Sequence, residues 1–273
     1  REKFWKPLSK AIDNLKLRAS YGSLGDITTL LTAGSYYLYQ SILTASPPAS
    51  TNYLFGDGLE SEVTPGSLVS PNVTWAKPSM LDFGVDAVAL TQRLNVSFDW
   101  YRRKTVDLYG PPEQNPAVLG ISPPQENNTS IETKGFDLTA SWNDHIGKLN
   151  YNVRFTLSNY KGKVLSYPNP VGSITTYYNG MNMGDIWGLQ TVGLFQSQTD
   201  ISKAPGQTKL YANWYPGDVQ YKDLNGDGII SQGNNTLANP GDQKVIGNNT
   251  PQYNYGFTLS LEDRGFDFLA FIQ

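Results

Sequence analysis

The strictest constraint on this 273-residue chain is a two-residue period that returns in run after run. Leu15, Leu17, Ala19 and Tyr21 alternate with Lys16, Arg18 and Ser20. Leu81, Phe83, Val85, Ala87 and Ala89 alternate with Asp82, Gly84 and Asp86, and a tight turn follows near Gln92. Leu94, Val96, Phe98 and Trp100 then oppose Asn95, Ser97, Asp99 and Tyr101. Phe136 to Trp142, Leu149 to Leu157 and Tyr253 to Leu261 repeat the pattern. Successive strand side chains point to opposite faces, so each run predicts a strand with one apolar and one polar face. The closing GFDFLAFIQ is apolar on both. Tyr36 to Ala45 reads as a less regular strand, and Ile186–Phe195 is a further apolar run. Residues 1–14 read as a short amphipathic helical turn with Phe4, Trp5, Leu8 and Ile12 on one side.

Two features separate membrane from soluble architectures. The connections alternate: a tight turn near Gln92, a Pro-rich loop to about Ser130, a tight turn near Asp144, a very long segment, and a tight turn near Arg264. Transmembrane barrels show that asymmetry, with short periplasmic turns and long outer loops. The strands also reach about ten residues, which is what crossing a bilayer needs. Tyr21, Trp100, Tyr101, Trp142 and Tyr160 stand near run ends, where interfacial aromatics belong. The expected fold class is all-β, an antiparallel transmembrane barrel portion with long extracellular loops. A soluble antiparallel sandwich alternates in the same way and stays open. If the tight turns share one side, residues 161–251 hold zero or an even number of spanning strands. We expect one large extracellular loop region there, with local β structure around Ile186–Phe195.

Composition removes other classes. No cysteine is present, so disulfides and thiolate metal sites are excluded. Net charge is −3 without a basic block, so no nucleic-acid footprint exists. No apolar run reaches the length of a membrane helix, and REKFWKPLSKAIDN lacks the apolar core of a secretion signal.

The sharpest chemical motif is DLNGDGIIS. Asp223, Asn225 and Asp227 fall at positions one, three and five of an EF-hand-like loop, with Gly228 at six and the Ile229 carbonyl as a further ligand. This is a candidate Ca2+ site. Ser231 and Asn234 stand where the later ligands belong, the next acid is Asp242, and Asx-Gly sequences also form turns without metal. Enzyme signals are poor. His145 is the single histidine, sits at a tight turn, and has no nucleophile motif to serve. Asp82 and Asp86 share a strand face and read as a solvated lining rather than an acid–base pair. Tyr177, Tyr178, Trp187, Tyr211, Trp214 and Tyr215 are loop aromatics suited to sugar contact or to packing. In a barrel, Arg18, Asp99, Arg154 and Glu262 face the lumen and their apolar neighbours face lipid.

Several motifs stand in a telling order: LKLRASYGSLGD, TWAKPSMLDFGVDAVALTQRLNVSFDWYRRKTVDLYG, TKGFDLTASW, PGDVQYKDLNGDGIIS and IGNNTPQYNYGFTLSLEDRGFDF. Together they resemble the C-terminal part of the barrel of SusC/RagA-type TonB-dependent outer-membrane transporters of Bacteroidota. The resemblance implies a 22-stranded barrel of which residues 1–273 are a fragment. It also implies a plug domain absent from this sequence, with 161–251 as the extracellular loop region. It implies import of oligosaccharides or peptides, energised by the TonB complex, and a SusD-like surface lipoprotein as partner. The competing expectation is a soluble calcium-dependent carbohydrate-binding or adhesin β-domain.

Overall fold

The computed structural model describes residues 11–28, 40, 43–47, 54–55, 58–59, 61–65, 68–70, 72–112 and 123–273. In chain order the strands are β1 (Ile12–Ser23), β2 (Leu43–Ser46), β3 (Leu54–Phe55), β4 (Gly58–Leu59), β5 (Glu62–Pro65), β6 (Lys77–Ala89), β7 (Leu94–Gly110) and β8 (Glu126–Ile146). Then follow β9 (Leu149–Ser166), β10 (Asp185–Leu189), β11 (Thr191–Leu194), β12 (Val219–Tyr221), β13 (Gln243–Asn248), β14 (Asn254–Asp263) and β15 (Phe266–Ile272), with one short helix, α1 (Gln198–Lys203). Seven strands form one antiparallel sheet in the order β1-β6-β7-β8-β9-β14-β15. Sequential strands are therefore neighbours, as in an up-and-down barrel wall.

The register carries one apolar face across all seven strands. Leu17 pairs with Val85, Val85 with Phe98, Phe98 with Leu138, Leu138 with Leu157, and Leu157 with Tyr255, while Phe257 on the same face of β14 pairs with Ile272 of β15. Stacked rings at 6.1 Å join Phe83 to Trp100 and Phe98 to Phe136 on this face. No second layer packs against it among the described elements. Leu17 is 73 % exposed, Phe83 48 % and Phe268 56 %. Leaving such side chains in water forgoes about 1.5–3 kcal/mol each, so this face calls for an apolar surrounding. A sandwich would have covered it with a second sheet.

The apolar band does not run along a register line. The line through Tyr21 and Leu81 continues to Arg102, Lys134 and Lys161. At the other end, the line through Asp144 continues to Tyr151, Leu261 and Phe268. The band thus slides towards the tight-turn end by about one residue per strand. With a rise of ~3.3 Å and a strand spacing of ~4.8 Å, that slide tilts the strands by about 35°. Barrel closure demands a tilt of that size.

The long segment behaves as parity requires. β9 pairs directly with β14, so residues 167–253 add no strand to the main sheet. They hold two ribbons, β10–β13 and β11–β12, with Ile174, Phe195 and Ile230 buried among them. The local β structure expected around Ile186–Phe195 is two short strands broken at Gln190.

Three boundaries differ from expectation. β9 continues to Ser166, so its pairing with β8 extends past residue 161. β8 begins at Glu126, well before Ser130, because Asn127 Nδ2 donates to the carbonyls of Thr74 and Asp107 and pins the strand's extension. β1 opens at Ile12, so the end of the expected helical turn is strand; Phe4, Trp5 and Leu8 lie outside the described residues. Of the Tyr36–Ala45 run, the described part enters β2, which pairs with β5 apart from the main sheet.

Candidate functional site

The polar face of the sheet carries its charges in a cluster. Arg18 on β1 places Nε 2.8 Å from Asp86 Oδ2, and Nη2 2.9 and 3.0 Å from the two Asp99 oxygens. Ser97 Oγ donates to Asp86 Oδ1 at 2.8 Å. Asp82 follows on the same face of β6, and Asp137 is the cross-strand partner of Asp99. One guanidinium therefore bridges two carboxylates, with two more on the same face beside them, a wall suited to hydrogen bonding with water or a polar solute. Arg154 and Glu262 keep the same parity on β9 and β14. The four residues expected to face a lumen do share a face.

Tyr101 and Tyr160 also belong to this polar face, which corrects their placement in an interfacial girdle. Tyr101 follows Trp100 directly, and neighbours in a strand must point apart. Its ring lies over Gly135, where an added Cβ would come within 2.4 Å of the hydroxyl. Trp100 and Trp142, by contrast, do bracket the apolar face at its two ends.

The acidic loop folds into a turn closed by its own polar groups. Asp223 accepts from the N–H groups of Gly226 and Gly228, at 2.6 and 2.8 Å. Asn225 accepts from Asp227 N, and Asp227 accepts from Ile229 N. Gly226 and Gly228 both take φ +78°, a left-handed conformation that glycine adopts without a Cβ penalty. These backbone donors hold the Asp223 carboxyl below its ordinary range, the Gly228 N–H contributing most. The three oxygen-bearing side chains thus lie in one turn, and each carboxylate keeps lone pairs beyond the ones already used.

Asp242, in sequence simply the next acid after the motif, completes this loop. It is fully buried and accepts from Leu224 N and Ser231 N at 2.8 Å each. It therefore latches both ends of the turn. The buried carboxylate had no periodic or motif signal; only its place after the inserted QGNNTLANPG pointed to it.

The loop aromatics divide into two sets. Trp214 packs edge-on against Phe195 and Tyr221 and donates Nε1–H to the carbonyls of Gln207 and Tyr211. Trp187 donates to the Tyr178 hydroxyl, and Tyr177 meets Tyr167 edge-on. Tyr211 and Tyr215 stand out from the loop, 70 and 63 % exposed. His145 stands at the surface one residue before the end of β8, with Nδ1 3.9 Å from Asp144.

Comparison with known proteins agrees with the resemblance read from the motifs. No family model matches the chain. TonB-dependent receptor P3 of Formosa agariphila is 27 % identical over 287 residues, covering 100 % of this chain and 26 % of the receptor. TonB-dependent receptor P39 of the same organism is 26 % identical, covering 98 % of this chain and 27 % of that protein. The chain thus spans about a quarter of the length of these curated relatives. Among solved structures, the RagAB peptide transporter superposes with a TM-score of 0.65 at 18 % identity, over 98 % of this chain and 27 % of that one. The RagAB importer in its open-open state gives 0.66, again at 18 % identity, over 96 % of this chain and 26 % of that one. The fold of this chain is that of a portion of such a barrel.

Proposed function

From a chain similar along its whole length to TonB-dependent receptors, we infer a section of the wall of an outer-membrane importer. The whole protein takes in large nutrients, oligosaccharides or peptides, against a gradient. TonB-dependent energy drives the step, a SusD-like surface lipoprotein assists it, and transport alone is assigned, without covalent chemistry. One observation carries the reading: a single apolar face runs unbroken across seven strands, uncovered, opposite a charged and hydroxylated face. Such a sheet separates lipid from water. In this arrangement the region after β9 lies outside the cell, and Tyr211 and Tyr215 are the aromatic faces offered to a solute or to the lipoprotein.

The supporting experiment is whole-cell uptake of labelled oligosaccharides and peptides in the parent strain, a deletion of the full gene, and a strain lacking TonB. Loss of uptake of one substrate class in both mutants, with the protein in the outer-membrane fraction, is expected. Unchanged uptake, or a protein that fractionates without detergent, contradicts the reading and favours the soluble β-domain.

We also propose that Ca2+ adds to the Asp223 turn through Asp223, Asn225, Asp227 and the Ile229 carbonyl. The placement of Asp223, Asn225 and Asp227 in one glycine-shaped turn, with Asn225 Nδ2 3.0 Å from Asp227 Oδ2, supports it. Two carboxylates in a loop already closed by its own hydrogen bonds place the affinity at about 0.1–1 mM. Calorimetry of the full-length protein with CaCl2 tests this: a heat of binding lost in Asp227→Ala is expected, and no heat at millimolar calcium refutes it.

A further inference from the structure

On the apolar side of the sheet, immediately beyond the last aromatics, the register lines up a set of cations. Trp100 and Phe136 are cross-strand partners, and the next line outward is Arg102, Lys134 and Lys161. The line after that is Lys104, Glu132 and Lys163. Parity puts all six on the face that carries Phe83, Phe98 and Leu138. The five cations are exposed and Glu132 is buried. Glu132 is already held between Arg102 and Lys134, the latter with Nζ 2.8 Å from Oε1. Five positive charges and one negative charge therefore leave a strong positive excess. Lys77, on the neighbouring β6, is neutralised by Asp107 at 2.8 Å.

We propose that Arg102, Lys104, Lys134, Lys161 and Lys163 form a docking surface for the phosphate-bearing headgroups of outer-leaflet lipids. The proposal rests on the membrane reading above, because that reading makes this face the lipid side. The charges stand on the long-loop half of the strands, at the level where a hydrocarbon band gives way to headgroups. Chemistry selects the occupant. Aliphatic stems continue the apolar band while ammonium and guanidinium ends reach the phosphates, and a guanidinium matches phosphate oxygens two at a time. A patch that met only solvent would have no reason to sit in register with lipid-facing aromatics, whereas a lipid whose tails cover Phe83 and Phe98 brings its phosphate to this place.

The test uses the full-length protein in phosphatidylcholine nanodiscs doped with phosphatidylglycerol, with retained lipids counted by native mass spectrometry. The variant Lys104→Gln/Lys161→Gln/Lys163→Gln leaves the Arg102–Glu132–Lys134 contacts intact. Arg103→Gln, on the same strand but the opposite face, controls for the loss of a single positive charge. The expected result is preferential retention of phosphatidylglycerol, weakened about fivefold for each cation removed, unchanged by Arg103→Gln and not competed by free glycerol phosphate. Equal retention by wild type and the triple variant, or competition by free glycerol phosphate, overturns the lipid site while leaving the barrel reading standing. Failure of the wild type to enter the bilayer overturns both.

Discussion

Arg18 and Asp99 lie on strands that do not touch, β1 and β7, yet their side chains meet across β6 at 2.9 Å. The strand between them offers Gly84 at the crossing point. A Cβ there would stand 2.8 Å from Arg18 Cζ and 2.3 Å from Asp99 Oδ1. The glycine is therefore a saddle, chosen for space rather than for backbone freedom.

Gly84→Ala is expected to break the bridge without unfolding the sheet. The displaced groups are ends of flexible, partly exposed side chains, and such a pair contributes only a small amount to stability. Alanine regains a similar amount in the strand. A double-mutant cycle between Arg18→Ala and Asp99→Ala should therefore show coupling in the wild type and none in the Gly84→Ala background. Coupling that persists would mean the two side chains communicate by another route.

The two faces should respond oppositely to charge. Phe98→Arg puts a cation into the middle of the apolar band and is expected to cost about 2–4 kcal/mol. Ser97→Arg, one residue away, gives up its hydrogen bond to Asp86 but faces Asp86 and Asp99 on the polar side, and is expected to cost only a small fraction of that. Urea titration of the full-length protein folded into vesicles measures both. Equal costs would contradict the assignment of faces.

Most of the sheet was legible in the sequence because a strand between lipid and water must alternate, and alternation survives averaging. Leu81–Ala89 and Leu149–Leu157 fall in β6 and β9 for that reason. The strand ends were not legible. β7, β8 and β9 run to 17, 21 and 18 residues, beyond the apolar band, where pairing continues between polar side chains and periodicity carries no signal. The acidic turn was visible from Asp223-x-Asn225-x-Asp227-Gly228. Its latch, Asp242, was not, because a carboxylate that serves backbone N–H groups looks in sequence like any surface acid. The Trp214 and Trp187 contacts depend on long-range folding of the loop region, which no local pattern encodes.

Asp242→Ala should open that loop. The buried carboxylate's bonds to Leu224 N and Ser231 N are charge-assisted, and their loss, with both donors stranded, costs about 3 kcal/mol. Exchange of the Leu224 and Ser231 amides should then rise by roughly a hundredfold, while the sheet amides keep their protection. An unchanged exchange pattern would show that the turn holds itself.

The same turn should loosen in acid. The folded pKa of Asp223 lies below its ordinary value of 3.8, so the folded state favours the charged form. Its stabilisation is complete above the ordinary value and is lost as pH falls through the folded one. Protection of Gly226 and Gly228 amides, corrected for intrinsic exchange, should hold from neutral pH to about 5 and decline below about 4. Asp223→Asn should abolish that dependence. A decline already present near pH 6 would assign the effect to another group.

The central claim is that alternate residues of one strand meet lipid and water. Residues 1–273 contain no cysteine, so single cysteine substitutions at Val96, Ser97, Ala140, Thr139, Val153 and Asn152, with any cysteine elsewhere in the full-length protein replaced, allow spin labels to be placed one at a time on both faces. In the full-length protein in vesicles, labels at Val96, Ala140 and Val153 should be relaxed by oxygen, which concentrates in hydrocarbon. Labels at Ser97, Thr139 and Asn152 should be relaxed by a water-soluble nickel chelate. A two-residue alternation with that phase is the predicted result; equal access of the nickel chelate to both sets would contradict a membrane-spanning wall.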